Sequence, residues 1–418
     1  MYSSEMVARR LHPLKNSGIA IVRRPWQDSI DIAARLQKLR YDDKGTLLPD
    51  GQLVRPLDAK EHAFIASERI LCKADFQYYA ERFHSIGIDT GTTTGELTMG
   101  PVRFQESQKR FMKVMGKREL EVHAEFKKYE MTEGIRIIAH KTRQVYFTAI
   151  SRMLTMHRML FWPGTRAFAG ALNPDGAGEL YKRDKLAIDN LPFWLKPDEV
   201  YPDVKDSEIG FPHPLSTRLL YQAEGQKAGI AVGTQQDVSH LTEVPLWQDP
   251  ERNIEFSLAA AIPKSRMTLH IQEGTSAGKN DYWHRVSEAC RHRKKGYESW
   301  TYIFIPWYLN EKKYRIIPQP GWFPNEKTVE HAELCIRTSP EWNDGVPIRP
   351  SVEQLAWWES THAKYSEEGN LPMFLASYPA TPEQSFTSFA RGALPPELLE
   401  EMEHDIRTPA GYSVEVAY

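Results

Sequence analysis

IRIIAHKTRQVYFTAISRMLTMHRMLFW, residues 135–162, is the stretch whose reading decides the fold. Ile135, Ile137 and Ile138 are β-branched apolar residues that read as a buried strand. A polar, cation-bearing turn follows, Lys141-Thr142-Arg143-Gln144. Then Tyr146, Ile150, Met153, His157 and Leu160 recur at helical spacing, which predicts a long helix with one apolar face. Strand, basic turn and helix is how a phosphate-binding loop is built, because a helix start presents unpaired N–H groups and a positive dipole to an anion. The ordinary G-x-x-x-x-G-K-S/T pattern is absent, since no glycine lies between Gly134 and Gly164. Taken alone, the stretch is a βα unit with a solvated turn.

Outward from it, the chain alternates. TRAFAGAL (165–172), TRLLYQAE (217–224), VSHLTEVPLW (238–247), MTLHIQ (267–272) and WTYIFIPWY (300–308) read as strands. Helices are expected from Asn173-Pro174-Asp175 onward, in NIEFSLAAAI and in DYWHRVSEACRHR. Strands alternating with helices predict an α/β fold with a doubly wound, mostly parallel sheet. Upstream, Asp28-Ser29 and Asp58 are helix caps, ADFQYYAERF is helical, IDTGTTTGE is a turn, and a polar helix begins near FQESQKRF. After residue 310 the chain is proline-rich with one clear helix, SVEQLAWWESTHAKYS. The expected organisation is an N-terminal helical leader (1–74), a core (75–310) and a C-terminal lid or linker (311–418).

The bulk numbers exclude several classes. Lys+Arg 53 against Asp+Glu 55 leaves no global basic signature for nucleic acid, so any DNA contact must be local. Cys72, Cys290 and Cys335 lie far apart, without metal-ligand spacing or a disulfide framework, which fits a reducing setting. No apolar run approaches the ~20 residues of a membrane span.

In an open parallel sheet, ligands bind beyond the carboxyl ends of the strands. Three strand ends carry reactive groups: Lys141 to Gln144, Thr242-Glu243, and Glu273-Gly274-Thr275-Ser276. A carboxylate at Glu243 stands where a nucleotide hydrolase orients its attacking water, or is simply a solvent-facing strand end. Thr275 and Ser276 are either turn residues or a sensor of the γ-phosphate. Thr148 is a helix-surface threonine or a hydroxyl ligand to nucleotide-bound Mg2+.

With those residues in place, the sequence resembles the large terminase subunit of tailed bacteriophages, the DNA-packaging ATPase. KTRQVYFT resembles that family's deviant Walker A loop, with lysine at the loop's start. HLTEVPLW resembles its Walker B ending, EGTSAGKNDYWHRV its coupling motif, WTYIFIPWY its strand ending in Phe-x-Pro-Trp, and YPATPEQSF the end of its ATPase domain. Their order and spacing match across residues 75 to 390. The resemblance implies a P-loop NTPase-type (ASCE) fold and ATP and Mg2+ as cofactors. In it Lys141 contacts the β/γ-phosphates, Thr142, Arg143 and Gln144 turn around them, and Thr148 ligates Mg2+. Glu243 positions the water, and Thr275 and Ser276 couple hydrolysis to movement. Gln108 matches the glutamine that reads the adenine edge, with Gln105 the weaker candidate and an exposed helix glutamine the plain alternative. Implied partners are double-stranded DNA, the portal protein, a small terminase subunit and further copies of the chain in a ring on the portal. No membrane is implied, and the setting is the cytoplasm of an infected bacterial host.

The sequence departs from that pattern in four places. Tyr146 stands where the family loop usually has glycine, which alone takes positive φ cheaply. Thr242 replaces the Walker B aspartate, leaving Mg2+ one fewer anionic neighbour. Lys227 is the only cation between Arg218 and Glu243 to replace a trans-acting arginine. The chain stops at Tyr418, close to where the family's nuclease domain begins, so neither that domain nor nuclease activity is expected. The one strong basic run, Arg291, Arg293, Lys294 and Lys295, is a DNA-phosphate contact or a complement to a helix dipole. The competing readings are a helicase-like translocase on the same fold and a catalytically weakened structural or DNA-binding module.

Overall fold

The computed structural model describes residues 32, 34–49, 52–89, 97–197, 207–225, 230–231, 234–310 and 312–386. After helical residues at 34–38, the helices α1 (Ala59–Ala74) and α2 (Phe76–Phe83) lead in. The α1 start is a capping box: the Asp58 carboxylate accepts from the Glu61 N–H, and the Glu61 carboxylate accepts from the Asp58 N–H. A hairpin of β1 (Ser85–Asp89) and β2 (Leu97–Pro101) and the long helix α3 (Glu106–Tyr129) then reach the main sheet.

Seven strands form that sheet: β3 (Ile135–Lys141), β4 (Arg166–Ala171), β5 (Glu208–Phe211), β6 (Thr217–Ala223), β7 (Val238–Leu241), β8 (Leu269–Gly274) and β9 (Trp300–Ile305). Their spatial order is β5-β6-β4-β7-β8-β3-β9. Every pairing is parallel except β5 with β6, an antiparallel edge. Helices α4 (Phe147–Phe161), α5 (Pro174–Asp189) and α6 (Tyr282–Arg291) make crossovers. A π-helical segment, Glu251–Leu258, joins β7 towards β8. Alternation along β3 divides its side chains between two cores. Ile135, Ile137 and Ala139 pack with Ile150 and Met153 of α4, while Ile138 packs with Phe168, Leu241 and Trp283 on the other face. This is the expected α/β arrangement with a doubly wound, mostly parallel sheet. Strand β8 lies between β3 and β7, so the two most distinctive strand ends flank a third.

Beyond the sheet stand α7 (Glu326–Trp342), α8 (Val352–Glu367), α9 (Leu371–Ser377) and the single turn α10 (Pro382–Ser385). Trp307, Tyr308, Tyr314, Trp358 and Phe374 form an aromatic cluster that holds this region together. Helix α7 was not legible as a second helix after residue 310. Its buried face is Thr328, His331, Ala332, Cys335 and Ser339, which gives little apolar periodicity, and Pro340 interrupts its last turn. The hairpin strands β1 and β2 and the four-residue edge strand β5 are strands that the sequence expectations do not contain. The cap at Asp28-Ser29 and the cation Lys227 lie outside the described residues.

Candidate active site

Strand β3 delivers Lys141 to its carboxyl end, between β8 and β9, and the chain turns at once into α4. Two non-glycine residues in this turn are left-handed, Gln144 at φ 54 and Tyr146 at φ 58. Tyr146 therefore takes the conformation that glycine would take without strain, with its side chain half exposed. The turn is held from two sides. From α3, Ser107 Oγ donates to Val145 O at 3.0 Å and Gln108 Nε2 donates to Tyr146 O at 3.1 Å. From beyond β9, Thr142 Oγ1 donates to Ser377 O at 2.6 Å, the Arg143 N–H donates to the same carbonyl, and Asn310 Nδ2 and Tyr314 Oη donate to Gln144 O and Arg143 O. Ring and amide anchors thus fix the carbonyls outward. Among the described residues the N–H groups of Gln144 and of Tyr146 through Thr148 take no backbone partner, which leaves them for an anion at the helix start.

The Lys141 ammonium is buried between two carboxylates, 3.0 Å from Glu243 Oε1 and 3.4 Å from Glu273 Oε2. Burial pushes its pKa down, but Glu273 and Glu243 outweigh that and hold it above the ordinary lysine value. Glu273 ends β8 with no solvent exposure. Its Oε1 accepts from Thr148 Oγ1 at 2.5 Å and lies 3.2 Å from His240 Nε2. Burial raises its pKa, yet Lys141 first and these hydrogen bonds after it bring the carboxyl down to about 2. Burial keeps His240 below the ordinary imidazole value. Glu243 follows β7 in a left-handed conformation, φ 55, and its side chain is 39% exposed, so this carboxylate is the cluster's face to solvent.

Close packing couples the Glu243 turn to the end of β8. A Cβ on Gly274 would stand 2.0 Å from Pro245 Cδ, so only glycine lets the turn after Glu243 lie against Gly274. Thr275 and Ser276, next along, are both buried; Thr275 Oγ1 has no hydrogen-bond partner among the described residues and Ser276 Oγ donates to Gly278 O.

The structure therefore gathers Lys141, Thr148, Glu243 and, at the adjoining end of β8, Thr275 and Ser276. Thr142, Arg143 and Gln144 form the turn itself. Gln108 is buried, and both ends of its amide are engaged, Nε2 with Tyr146 O and Oε1 with the Gln105 N–H at 3.0 Å. Gln105 is the residue before α3 and is partly exposed. In the basic run, Arg291 is tied to Glu341 and Glu383, whereas Arg293, Lys294 and Lys295 are exposed. Sequence reasoning did not assign roles to Glu273 or His240. The signal that could have found them is an ionisable group inside a strand buried on both faces, Glu273 in LHIQEG and His240 in VSHL, since such a strand otherwise reads as continuously apolar.

The residues also fit a nucleotide-bound Mg2+. The donors are a hydroxyl and carboxylates, all oxygen. Among the described residues no group of three or more His, Cys, Asp or Glu could hold a metal unaided. Mg2+ bound through phosphates and waters needs no such cage.

No family model matches the chain, and no curated protein matches it. Among solved structures it is similar to the large terminase of bacteriophage HK97, with 12% identity, a TM-score of 0.48, and coverage of 74% of this chain and 55% of that one. It is also similar to the large terminase ATPase domain of Thermus phage P74-26, with 14% identity, a TM-score of 0.35, and coverage of 49% of this chain and 88% of that one. A third is the large terminase of a thermophilic bacteriophage in complex with ADP, with 13% identity, a TM-score of 0.31, and coverage of 46% of this chain and 45% of that one. The chain thus spans about half the length of the first and third of these proteins. No helix among the described residues is long and apolar enough to cross a membrane.

Proposed function

We propose that the chain is an ATP-hydrolysing motor subunit that drives double-stranded DNA into a phage prohead. The observation that carries the catalytic part is the burial of the Lys141 ammonium between Glu243 and Glu273, beside the unpartnered N–H groups at the start of α4. A lysine at a helix N-terminus and a half-exposed carboxylate one strand further are the parts a nucleotide hydrolase needs. The motor part is supported by the five stretches that resemble phage large terminases, in order and in register.

In this reading the nucleotide phosphates lie on the N–H groups of Gln144 and of Tyr146 through Thr148, and Lys141 neutralises their charge. Phosphate arriving at Lys141 competes with Glu243 for the ammonium, which leaves the Glu243 carboxylate to orient a water. Thr148 offers its hydroxyl to Mg2+, which when bound offsets charge on the transferring phosphoryl group. Thr275 and Ser276 sense the change from the neighbouring strand end. Gln108 acts on the nucleotide indirectly unless its amide is released. DNA contact through Arg293, Lys294 and Lys295 would be phosphate-directed and salt-dependent. The portal, a small terminase subunit and a ring of further copies are the partners, in the host cytoplasm.

The test is DNA-stimulated ATP turnover together with displacement of a DNA triplex by the purified protein. ATP-dependent displacement of the third strand, lost in Glu243→Gln, is expected. ATP turnover that ignores DNA and moves no third strand would refute the motor.

A further inference from the structure

The site lacks a carboxylate where nucleotide hydrolases of this type place one. In P-loop NTPases Mg2+ is held by the loop's Ser/Thr and by an aspartate ending the Walker B strand. That position here is Thr242, which is buried and carries no charge. The sheet register shows where the charge went. Strands β7 and β8 run parallel with Leu241 opposite Gln272, so the next positions on the two strands are Thr242 and Glu273. Residues paired in a parallel ladder point to the same face. That is also the face of His240, two residues before Thr242, whose ring lies 3.2 Å from the Glu273 carboxylate. On its other side β8 pairs with β3, with Glu273 opposite Ala139, two residues before Lys141. One strand over from Thr242, Glu273 Oε1 binds the Thr148 hydroxyl directly, while Oε2 has no hydrogen-bond partner among the described residues and lies 3.4 Å from Lys141 Nζ.

We infer that Glu273 performs from β8 the positioning role that the Walker B aspartate performs from β7, fixing the Thr148 hydroxyl and supplying the anionic partner for the waters of nucleotide-bound Mg2+. The inference rests on the nucleotide-hydrolase reading above. It explains why a strand otherwise buried on both faces ends in a carboxylate, and how Thr242 is tolerated: the same charge sits one rung sideways in the sheet. Gly274 fits the scheme, because its missing side chain lets Pro245 and the Glu243 turn close over the end of β8. Glu243 is thereby left for the water alone.

The rival role for Glu273 is a counter-ion that merely permits Lys141 to be buried. The two differ in their response to metal. The measurement is the dissociation constant of a fluorescent ADP analogue, with saturating Mg2+ and with EDTA, for wild type, Glu273→Gln, Glu273→Asp and Thr242→Asp/Glu273→Gln. Wild type is expected to bind more tightly with Mg2+. Glu273→Gln is expected to keep its affinity in EDTA and to lose the Mg2+ enhancement at least tenfold. The double variant, which returns a carboxylate to β7, is expected to recover most of it. Glu273→Asp keeps a charge beside Lys141 for folding but draws it back from Thr148, and is expected to lose the enhancement as well. Retention of the full Mg2+ enhancement in either single variant overturns the assignment, as does equal weakening with and without Mg2+ or no recovery in the double variant. A wild type that binds the analogue under neither condition refutes the nucleotide reading itself, which is a separate outcome.

Discussion

Two buried charge clusters sit one helical turn apart on α4, and they are built to opposite ends. The first joins Thr148 to Glu273, Lys141, Glu243 and His240. The second joins Arg152 to Asp184 on α5 and Tyr221 on β6. Arg152 Nε donates to Asp184 Oδ2 at 3.0 Å, Nη2 adds a second bond, and Tyr221 Oη donates to the same oxygen at 2.6 Å. The guanidinium also lies over the Tyr221 ring. All three residues are buried, so this cluster is a closed joint between a helix pair and the sheet. The first cluster is as deeply buried at Glu273 but opens to solvent at Glu243, and shares one ammonium between two carboxylates. Burial of charge is common to both and identifies neither. Buried polar atoms without a hydrogen-bond partner among the described residues occur at both, Thr275 Oγ1 beside the first and Arg152 Nη1 in the second; what marks the first as the candidate site is its solvent-facing carboxylate at Glu243 beside the start of α4.

The largest effect on stability is expected from breaking the closed joint. Asp184→Ala strands the Arg152 charge in the interior and should cost roughly 3–5 kcal/mol. Chemical denaturation measures this, and ATP turnover per folded molecule should be unchanged. Loss of turnover without loss of stability would make the second cluster part of the site and dissolve the contrast. Next comes acid. Glu273 has its pKa lowered to about 2, so its contribution is fully present above the unfolded value and is lost as pH falls from there through about 2. A shift of this size corresponds to roughly 3 kcal/mol, so stability should fall less steeply below about pH 4 in Glu273→Gln than in wild type. Equal slopes would show that Glu273 is not held ionised.

A smaller effect should follow from Gly274→Ala, whose Cβ must displace Pro245. About 1–3 kcal/mol of overpacking is expected, with slower ATP turnover because the Glu243 turn moves. An unchanged rate would separate that turn from the chemistry. The smallest is Tyr146→Gly. Relief of a left-handed tyrosine gains about 1 kcal/mol, partly offset by glycine's freedom in the unfolded chain. Thermal unfolding should rise slightly or stay level, and nucleotide affinity should not fall. A clear loss of affinity would give the exposed tyrosine ring a part in binding.

Much of the scaffold was legible because its signals are local. The Ile135 to Ile138 run, the Asp58 and Asn173 caps and the apolar periodicity of α4 each sit within a few residues of the element they specify. Lys141, Thr148 and Glu243 stood out because they lie at the ends of such elements. Glu273 stands at a strand end too, but its role is not legible there, since it comes from the register of β7 against β8, which no local pattern encodes. The anchors of the turn were hidden for a related reason: Ser377 contributes only a carbonyl, which any residue could supply. Tyr146 was readable as a departure from glycine, and the structure shows its form, a left-handed tyrosine in a turn pinned from both sides.

The central claim, that the open cluster on α4 is a nucleotide-hydrolysing site, is tested most directly by steady-state ATP hydrolysis of wild type beside Lys141→Ala and Glu243→Gln. The wild type should turn over ATP, and each variant should be slower by a factor on the order of 100 or more. Lys141→Ala should also lose ATP affinity while Glu243→Gln keeps it. A wild type no faster than either variant would contradict the account.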